Sequence, residues 1–548
     1  MTWRFTSTVV VLGFLVIAVA IAPPSEACTN ILVTKGASKD GSSIITYACD
    51  GRFHARLRNR AAADHPEGAE REMRSWSGEL RGKIPEAKHT HASVSLMNEH
   101  QLAIAETTTT GREELQNPEG MLHYWDLMQL ALERARTARE AIEVITSLVA
   151  EHGYRSTAES FAIADPDEVW LMEMTGKGPG RQGAIWVAMR VPDGSISAYA
   201  NGIRIRQFPM DDPENCLYSA DVVDFAVEQG YWDPSSGQPF DFAAAYDAAT
   251  VQSRRYTATR VWSIFRRAAP TRADEFDPAY HRGDPQAKPY PLWIEPDEKL
   301  SVADVMALMR DHYEGTPWDM TVGLDAGPYS TPNRWRPIAW EVDGEKYSWE
   351  RPISTQQTGF SFVSQARSWL PDAIGGVYWY GLDDTFTTCY VPLYAGIDRL
   401  PPSYTDGTLS EFSWDSAWWV FNFVANIANL KFSYMAPEVR AVQREIEGQL
   451  MAAQPTIEKV AAELWETDPD AARRFLTDYS VSRAEDVVLR WKALGEHLLT
   501  RFNDGYVAEE GEDPERGYPE GWLREVVARH PERLRLAQPE KAETELPY

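Results

Sequence analysis

Residues 28–50 read CTNILVTKGASKDGSSIITYACD, and this stretch carries the strongest fold signal in the sequence. Residues 29–34 (TNILVT) alternate in the manner of a short strand, and residues 43–48 (SIITYA) form a second β-rich run. Between them, KGASKDGS with its two glycines is typical of a turn. The stretch therefore predicts two paired strands, with Cys28 immediately before the first.

A secretory signal peptide is predicted at residues 1–27. A positive charge precedes an uncharged apolar run at residues 9–22, which is too short for a typical membrane span. The small residues Ser25 and Ala27 then suit cleavage after Ala27, which makes Cys28 the first residue of the mature chain. A lipoprotein with an acylated Cys28 is the alternative, but Ser25 stands where lipoprotein sites normally carry a large aliphatic residue. The predicted location is therefore exported, either periplasmic or extracellular.

The composition is that of an acidic globular protein. The 548 residues include 54 Lys and Arg against 81 Asp and Glu, a formal net charge of −27. Such a chain is a poor ligand for nucleic acids or anionic membrane surfaces, because both repel it. Residues 417–432 (AWWVFNFVANIANLKF) predict a buried helix and no membrane span, since they contain three asparagines and a lysine. The four cysteines are too few for a disulfide scaffold, and a free Cys28 leaves room for at most one bridge.

After residue 50 the chain alternates between strand-like and helical segments. An amphipathic pattern predicts helices within residues 122–149, with a capping box at TARE (137–140) and a helix end at Gly153. Strand-like runs then follow in a meander at residues 160–164, 169–174, 184–191 and 195–200. This order predicts an α+β fold with two antiparallel sheets and helices packed outside them.

The second half of the chain returns to strands and then becomes helical. Residues 301–315 predict a capped amphipathic helix, residues 351–397 are aromatic-rich and strand-like, and a helical pattern begins at Ala436. The predicted organisation is a signal peptide (1–27), a main domain (28–435) and a helical C-terminal extension with a tail (436–548).

An N-terminal cysteine can act as nucleophile and base at once. Cleavage before Cys28 would leave a free α-amine, whose reference pKa of about 7.7–8.0 makes it a useful base near neutral pH. The thiol beside it could then attack a carbonyl, provided that hydrogen-bond donors face the developing oxyanion. The competing interpretation is a cysteine that lies near a cleavage position by chance.

Several segments of the sequence resemble the C69 dipeptidase family. The similarity runs from Cys28 to about Asn503. Besides residues 28–50, it is carried by MNEHQLAIAETTTTGREEL (97–115), RARTAREAI (134–142), AGPYSTPNRWRP (326–337) and GVYWYGLDDTFTTCYVPLYAGI (376–397). The resemblance implies an N-terminal-nucleophile (Ntn) hydrolase, with an αββα sandwich in residues 28–435. It also implies hydrolysis of dipeptides through a thioester, with no metal or organic cofactor.

The same resemblance suggests roles for residues of the second strand. Cys28 matches the nucleophile of the family. In wider relatives an arginine and an aspartate follow on the second strand; here Tyr47 stands at the arginine position and Asp50 remains as the acid. Asp50 is predicted to hold the α-amine of Cys28 by a charge-assisted hydrogen bond. Its other interpretation is a turn residue at the end of a strand.

Two further residues match polar positions of those relatives. Asn201, in SAYANGIRI, falls where they place an asparagine that donates to the oxyanion, although Asn-Gly is also a turn signal. Arg260, in RYTATRVWSIF, matches an arginine that precedes a short hydrophobic strand. It could polarise the site or bind a substrate carboxylate, and the alternative is a surface salt bridge.

A peptide pocket is predicted in the aromatic segment GVYWYGLDD. Trp379 and Tyr380 would line it, and Asp383 or Asp384 would pair with the ammonium group of a substrate. Short peptides are the predicted partners, and a homo-oligomer is left open. An amide hydrolase of acylated amines, using the same nucleophile, is one alternative function. A surface protein that stacks sugars on its tryptophans is another.

A metal-dependent peptidase is the remaining alternative. His89 and His91, together with His100 and His54, offer imidazoles at suggestive spacing. However, no HExxH-like framework accompanies them. We therefore interpret them as exposed histidines and predict no metal ligands and no cofactor.

Overall fold

The computed structural model of the protein describes residues 28–247, 249–507 and 517–536. The signal peptide predicted at residues 1–27 lies outside the described residues, as do parts of the predicted C-terminal tail.

Strands are distributed over the first four hundred residues. In chain order, the described strands are β1 (Asn30–Val33), β2 (Ile44–Asp50), β3 (Asn59–Arg60), β4 (Ala63–Asp64), β5 (Glu70–Arg74), β6 (Leu80–Pro85), β7 (His89–Thr90), β8 (Ser93–Val94), β9 (Met97–Asn98), β10 (Ala103–Thr108), β11 (Glu159–Ala164), β12 (Val169–Thr175), β13 (Ile185–Arg190), β14 (Ile196–Tyr199), β15 (Cys216–Tyr218), β16 (Trp293–Ile294), β17 (Ala339–Val342), β18 (Glu345–Ser348), β19 (Thr358–Gln365), β20 (Val377–Leu382) and β21 (Val391–Tyr394).

Helices are interspersed among the strands and dominate the C-terminal part. The described α-helices are α1 (Tyr124–Arg134), α2 (Ala138–His152), α3 (Val222–Glu228), α4 (Phe242–Tyr246), α5 (Val251–Ala268), α6 (Pro278–Arg282), α7 (Val302–Met309), α8 (Asp372–Gly375), α9 (Ala417–Ala428), α10 (Phe432–Trp465), α11 (Pro469–Arg501), α12 (Glu520–Arg529) and α13 (Pro531–Leu534).

Two large antiparallel sheets form the centre of the molecule. Sheet I has the strand order β16-β14-β1-β2-β19-β20-β21, and sheet II has the order β15-β13-β12-β11-β10-β9-β8-β3. Strand β2 of sheet I contacts β10 and β11 of sheet II, and β1 also contacts β10, so the two sheets face each other there. Helices α1 and α2 pack on sheet II, while α5, α7, α9 and α11 contact strands of sheet I. The predicted mixture of antiparallel sheets and packed helices is therefore confirmed.

The strand pair predicted from residues 28–50 is present in sheet I. Leu32 of β1 lies opposite Ile45 of β2, and every residue of both strands is buried. Covering a strand on both faces requires a nearly continuous apolar run, which NILV and IITYA supply. Because β1 begins only two residues after Cys28, this burial also places Cys28 in the interior.

The first predicted helices are present with their caps. The Thr137 hydroxyl accepts a hydrogen bond from the Glu140 backbone N–H at the start of α2, and Gly153 ends that helix with a φ of 79°. The capping box is shifted by one residue, because the Glu140 carboxylate accepts from the Arg136 N–H. Helix α7, capped by Ser301, ends at Met309 and is shorter than predicted.

The fourth strand of the predicted meander belongs to the other sheet. Strands β11, β12 and β13 are neighbours in sheet II, whereas β14 pairs with β1 in sheet I, with Tyr199 opposite Asn30. This crossing brings the residues that follow β14 next to those that precede β1. The active-site candidates at positions 201 and 28 become neighbours for that reason.

A helical region follows the second sheet segment, as predicted. The apolar segment at 417–432 forms α9 and the start of α10, and no helix among the described residues is long and apolar enough to cross a membrane. Helix α10 (Phe432–Trp465) continues across the predicted domain boundary at 435/436, which stays a prediction. All four cysteines lie among the described residues, and none of them forms a disulfide bond there.

Candidate active site

The Cys28 thiol lies where the two sheets meet. Its Sγ is 3.8 Å from the hydroxyl oxygen of Tyr47 on β2 and 4.0 Å from Oε1 of Glu106 on β10. Tyr47 in turn donates a short hydrogen bond to the Glu106 carboxylate. All three residues are buried, with Cys28 only 1% exposed. The position that an arginine occupies in the wider relatives is thus filled by a tyrosine that contacts the predicted nucleophile.

The thiol is held in its neutral form. Burial is the main cause that raises the pKa of Cys28 well above its ordinary value, followed by a hydrogen bond with Cys49 and by the charge of Glu106. A thiolate is the reactive form of cysteine, so Cys28 requires a base that removes its proton. Glu106 is close enough to influence that proton, but it accepts from Tyr47.

Arg260 fixes the backbone beside the thiol. Its Nη1 donates to the Cys28 carbonyl oxygen at 2.6 Å and to Thr29 Oγ1 at 2.9 Å. Its Nη2 donates to Oδ1 of Asn201 at 2.7 Å. The side chain is fully buried, so the surface salt bridge considered for it is wrong. Arg260 also lies inside α5, where a short hydrophobic strand was expected after it.

Burial lowers the pKa of Arg260 to about 10, and the neighbouring Arg351 charge acts in the same direction. The guanidinium is therefore still protonated at neutral pH. Burying a cation is costly unless its N–H groups are hydrogen-bonded, and those of Arg260 donate mostly to carbonyl oxygens. Arg260 thereby ties α5 to the residue that carries the thiol.

Asn201 lies at a bend after β14, beside Arg260, and its role as an oxyanion donor stays a prediction. Its φ of 59° lies in the left-handed region that asparagine tolerates, and the chain bends there without forming the hairpin turn that an Asn-Gly pair often indicates. The bend places its side chain against Arg260, while its Nδ2 donates to the Thr108 carbonyl oxygen at 2.7 Å. As an oxyanion donor, Asn201 would exchange this bond to Thr108 for one to the substrate.

Asp50 is buried at the end of β2 and has its own partners. It accepts a hydrogen bond from the Thr358 hydroxyl at 2.5 Å and forms a buried ion pair with Arg351. Burial raises the pKa of Asp50, and the positive charge of Arg351 opposes that effect. The negative charge of Asp50 also contributes to the raised pKa of Cys28. In this arrangement Asp50 anchors Arg351, a residue that the sequence analysis did not single out.

The four predicted pocket residues are all buried in or after β20. The indole Nε1 of Trp379 lies 3.5 Å from Oε1 of Gln365, whereas Tyr380 stacks near Tyr378 with ring centroids 5.7 Å apart. Neighbouring residues of a strand point to opposite faces, so Trp379 and Tyr380 do not line one wall together. Their role in substrate binding stays a prediction.

The two aspartates that follow β20 already have protein partners. Asp383 accepts from Nδ2 of Asn422 at 2.9 Å, and Asp384 accepts from the Ser354 hydroxyl at 2.9 Å. Burial raises the pKa of Asp383 to about 7, and the bond from Asn422 opposes the rise. Pairing with a substrate ammonium also stays a prediction for both residues.

The histidines considered for a metal site are divided between two places. His89, His91 and Glu99 have ligand atoms that all lie within 4.8 Å of one another, and His100 is adjacent, with its Nε2 3.3 Å from Nδ1 of His91. His54 is elsewhere and contacts Ser416. His91 is only 7% exposed, so the interpretation of exposed histidines is wrong for this residue. The three grouped residues are the metal-capable cluster of the described chain.

A cavity of about 620 Å³ opens close to the thiol, although Cys28 itself is not among its lining residues. Cys49, which hydrogen-bonds to Cys28, is part of its lining, as are Phe360 and Tyr124. The ring centroid of Phe360 lies 5.5 Å from that of Tyr47. This volume is within the range of small-molecule sites and suits a short peptide.

Glu106 and Arg351 belong to the site but were not predicted from the sequence, and only Glu106 has a sequence pattern that could have revealed it. Glu106 is a carboxylate within the apolar strand AIAETT, and an acid at such a position is a recognisable sign of a functional or paired group. Arg351 offered no such sign, because it approaches Asp50 across 301 positions of sequence.

Comparison with known proteins places this site in a family. The family model for peptidase family C69 matches residues 27–445. A probable dipeptidase of Salmonella dublin is 28% identical over 406 residues, which is 70% of this chain and 84% of the relative. A dipeptidase of Bifidobacterium longum is 24% identical, over 76% of this chain and 80% of the relative, and a dipeptidase A of Lactobacillus helveticus is 23% identical, over 74% and 82%. The chain belongs to peptidase family C69.

Proposed function

We propose that this protein is an exported cysteine dipeptidase that acts through a thioester on Cys28. Family membership and the names of the relatives support peptide hydrolysis. The observation that carries the cysteine mechanism is the position of Cys28 between the two sheets. There Arg260 holds its carbonyl oxygen, and its thiol hydrogen-bonds to Cys49, which is a residue of the cavity lining. The Ntn-hydrolase fold is part of this proposal.

Signal cleavage after Ala27 would create the base that the thiol lacks. The family match begins at residue 27, so nearly all of the predicted leader lies outside it. Once Cys28 has a free α-amine, that amine can take the thiol proton, since both groups belong to one residue. The raised pKa of the thiol makes this transfer necessary, because little thiolate forms on its own.

The reaction then follows ordinary acyl transfer. The thiolate attacks the peptide carbonyl, the tetrahedral intermediate collapses, and the C–N bond breaks as the α-ammonium returns its proton to the leaving amine. Water, deprotonated by the same amine, then attacks the thioester. This step releases the N-terminal amino acid of the dipeptide and regenerates the thiol. Asn201 and the Arg260 that it touches are the proposed source of oxyanion stabilisation.

Two alternative functions differ from this proposal in the substrate or in the catalytic group. An amide hydrolase of acylated amines would use the same nucleophile and an apolar cleft. A metal-dependent peptidase would use His89, His91 and Glu99, whose ligand atoms are grouped closely enough to hold an ion.

Substitution of the nucleophile tests the proposal directly. Cys28→Ala should abolish dipeptide hydrolysis. Cys28→Ser should retain only a small fraction of the activity, since a hydroxyl is much harder to deprotonate than a thiol. Cys216→Ser and Cys389→Ser are matched controls: both replace buried cysteines for which burial likewise raises the thiol pKa. Steady-state kinetics with Ala-Ala, and circular dichroism to confirm folding, give the readouts. Near-normal turnover by Cys28→Ala would refute the mechanism.

N-acetylated Ala-Ala separates a dipeptidase from an amide hydrolase. A dipeptidase loses the contact to the substrate ammonium, and the loss of one charge-assisted bond should lower kcat/KM by about ten-fold or more. Equal cleavage of free and acetylated peptide would favour the amide hydrolase and leave Cys28 as the nucleophile.

A further inference from the structure

The cavity close to the thiol has the opposite charge to the rest of the molecule. Acidic residues outnumber basic ones in the whole chain, 81 to 54. The lining of this cavity nevertheless contains four arginines and a single carboxylate, that of Asp126. We call these four arginines the arginine wall; they are Arg56, Arg58, Arg60 and Arg74.

The carboxylate of the lining does not neutralise the arginine wall. Asp126 is paired with Arg81, whose Nη2 lies 2.9 Å from its Oδ2, and it also accepts from the His123 N–H. Arg81 is not part of the lining. The one negative charge at the cavity surface is therefore already committed to a different cation.

Two members of the arginine wall have acidic partners outside the lining, and two do not. Arg60 pairs with Glu133 at 2.8 Å and Arg74 with Glu72 at 2.6 Å. Arg56 donates to the Gly407 carbonyl oxygen, and no described carboxylate forms an ion pair with Arg56 or Arg58. Two exposed guanidinium groups, those of Arg56 and Arg58, thus remain available to bind an anion. They line the same cavity as Cys49, which hydrogen-bonds to the proposed nucleophile Cys28.

We propose that the arginine wall binds a side-chain carboxylate of the substrate, so that the enzyme prefers dipeptides containing glutamate or aspartate. This inference rests on the proposed dipeptidase function. A dipeptide with uncharged side chains has only one carboxylate, at its C-terminus, whereas two guanidinium groups without an acidic partner can bind two carboxylates. Guanidinium groups bind carboxylates bidentately, which gives orientation as well as attraction. A local positive field also draws anionic substrates toward a molecule whose net charge of −27 repels them.

The test compares Ala-Glu with Ala-Gln, which have nearly the same shape and differ in one charge. The unmodified mature enzyme should cleave Ala-Glu with a kcat/KM about ten-fold higher, mainly through a lower KM, because one charge-assisted contact is gained. The double variant Arg56→Ala/Arg58→Ala should lose most of that preference, because its kcat/KM should fall much further for Ala-Glu than for Ala-Gln. Arg58→Lys should retain part of it, and added salt should weaken it in the unmodified enzyme.

Arg399→Ala is the matched control. Arg399 is an exposed arginine that pairs with Asp478 and lies outside the cavity lining, so its loss should leave the preference unchanged. Equal kcat/KM for the two peptides, or an unchanged preference in the double variant, would overturn the inference and leave the dipeptidase assignment intact.

Binding to the Cys28→Ala variant separates failure of this inference from failure of the proposed function. Calorimetry should show tighter binding of Ala-Glu than of Ala-Gln, and the difference should vanish when Arg56→Ala/Arg58→Ala is added. Selective binding together with an unmodified enzyme that cleaves no dipeptide would refute the proposed function and support the arginine wall as a carboxylate site. Absence of both selectivity and turnover would refute both.

Discussion

Asp383 shows how one buried carboxyl can make stability depend on pH. It is 2% exposed and its Oδ2 has no hydrogen-bond partner among the described residues. Its folded-state pKa of about 7 lies above the reference value of 3.8. Unfolding therefore releases a proton between these values, and the contribution of Asp383 to stability falls as pH rises from about 4 to about 7.

Asp383→Asn should remove that pH dependence. Asparagine keeps an oxygen that can accept from Asn422 and tolerates the φ of 65° at this position. At pH 8 the variant should be more stable than the unmodified protein, by on the order of 2–4 kcal/mol, and at pH 4 the two should be equal. Urea unfolding at both pH values gives the comparison. A difference that is the same at both would show that Asp383 titrates normally; a selective loss of activity toward free dipeptides would support its predicted substrate role.

At the scale of elements, the Asp50–Arg351 pair joins the end of β2 to the segment that precedes β19. Both side chains are buried, with at most 2% exposed. Removing one member of a buried pair leaves an uncompensated charge, which typically costs about 3–5 kcal/mol.

Arg351→Met should therefore destabilise the protein by about 3–5 kcal/mol, and adding Asp50→Asn should recover a large part of the loss, because no charge then remains unpaired. The free energies of unfolding of both single variants and the double variant form the cycle. Arg399→Met, at an exposed pair, should cost less than about 1 kcal/mol. Additive losses in the double variant would show that the two residues act independently.

Local sequence signals were enough to predict most helices and strands. The features that depend on tertiary contacts could not be predicted. Thr137 and Gly153 marked the ends of α2 because capping is a local interaction. The sheet that β14 joins was not predictable, because its alternating pattern is satisfied equally in either sheet. Arg260 was matched by resemblance, but its helix was missed, since the short apolar run VWSIF fits a strand or a buried helix equally well.

At the scale of the whole molecule, the first question is whether the chemistry depends on a metal. Chelation should leave dipeptide hydrolysis unchanged, because the proposed nucleophile and base both belong to Cys28 and the cluster at His89, His91 and Glu99 is not required for attack. Dialysis against EDTA followed by kinetics, with iodoacetamide as the inactivating control, gives the measurement. Loss of activity that zinc restores, and that His91→Ala reproduces, would instead support the metal-dependent alternative.

The second whole-molecule question is whether export and catalysis are coupled through the N-terminus. The proposed base exists only if the predicted leader is removed, because the nitrogen of Cys28 is otherwise part of a peptide bond. A variant with one glycine inserted between Ala27 and Cys28 would be cleaved normally yet begin with glycine, so its amine would be one residue away from the thiol.

The fold of this variant should persist, because the amine takes no part in the pairing of β1 with β2 and β14. Loss of a positioned general base lowers turnover by about 10²–10⁴-fold, and we expect kcat to fall by at least about 10²-fold. Intact mass and N-terminal sequencing would establish the start of each chain, Cys28 for the unmodified protein. Full activity in the inserted variant would move the role of base to Glu106, which contacts the thiol directly at 4.0 Å and also through Tyr47.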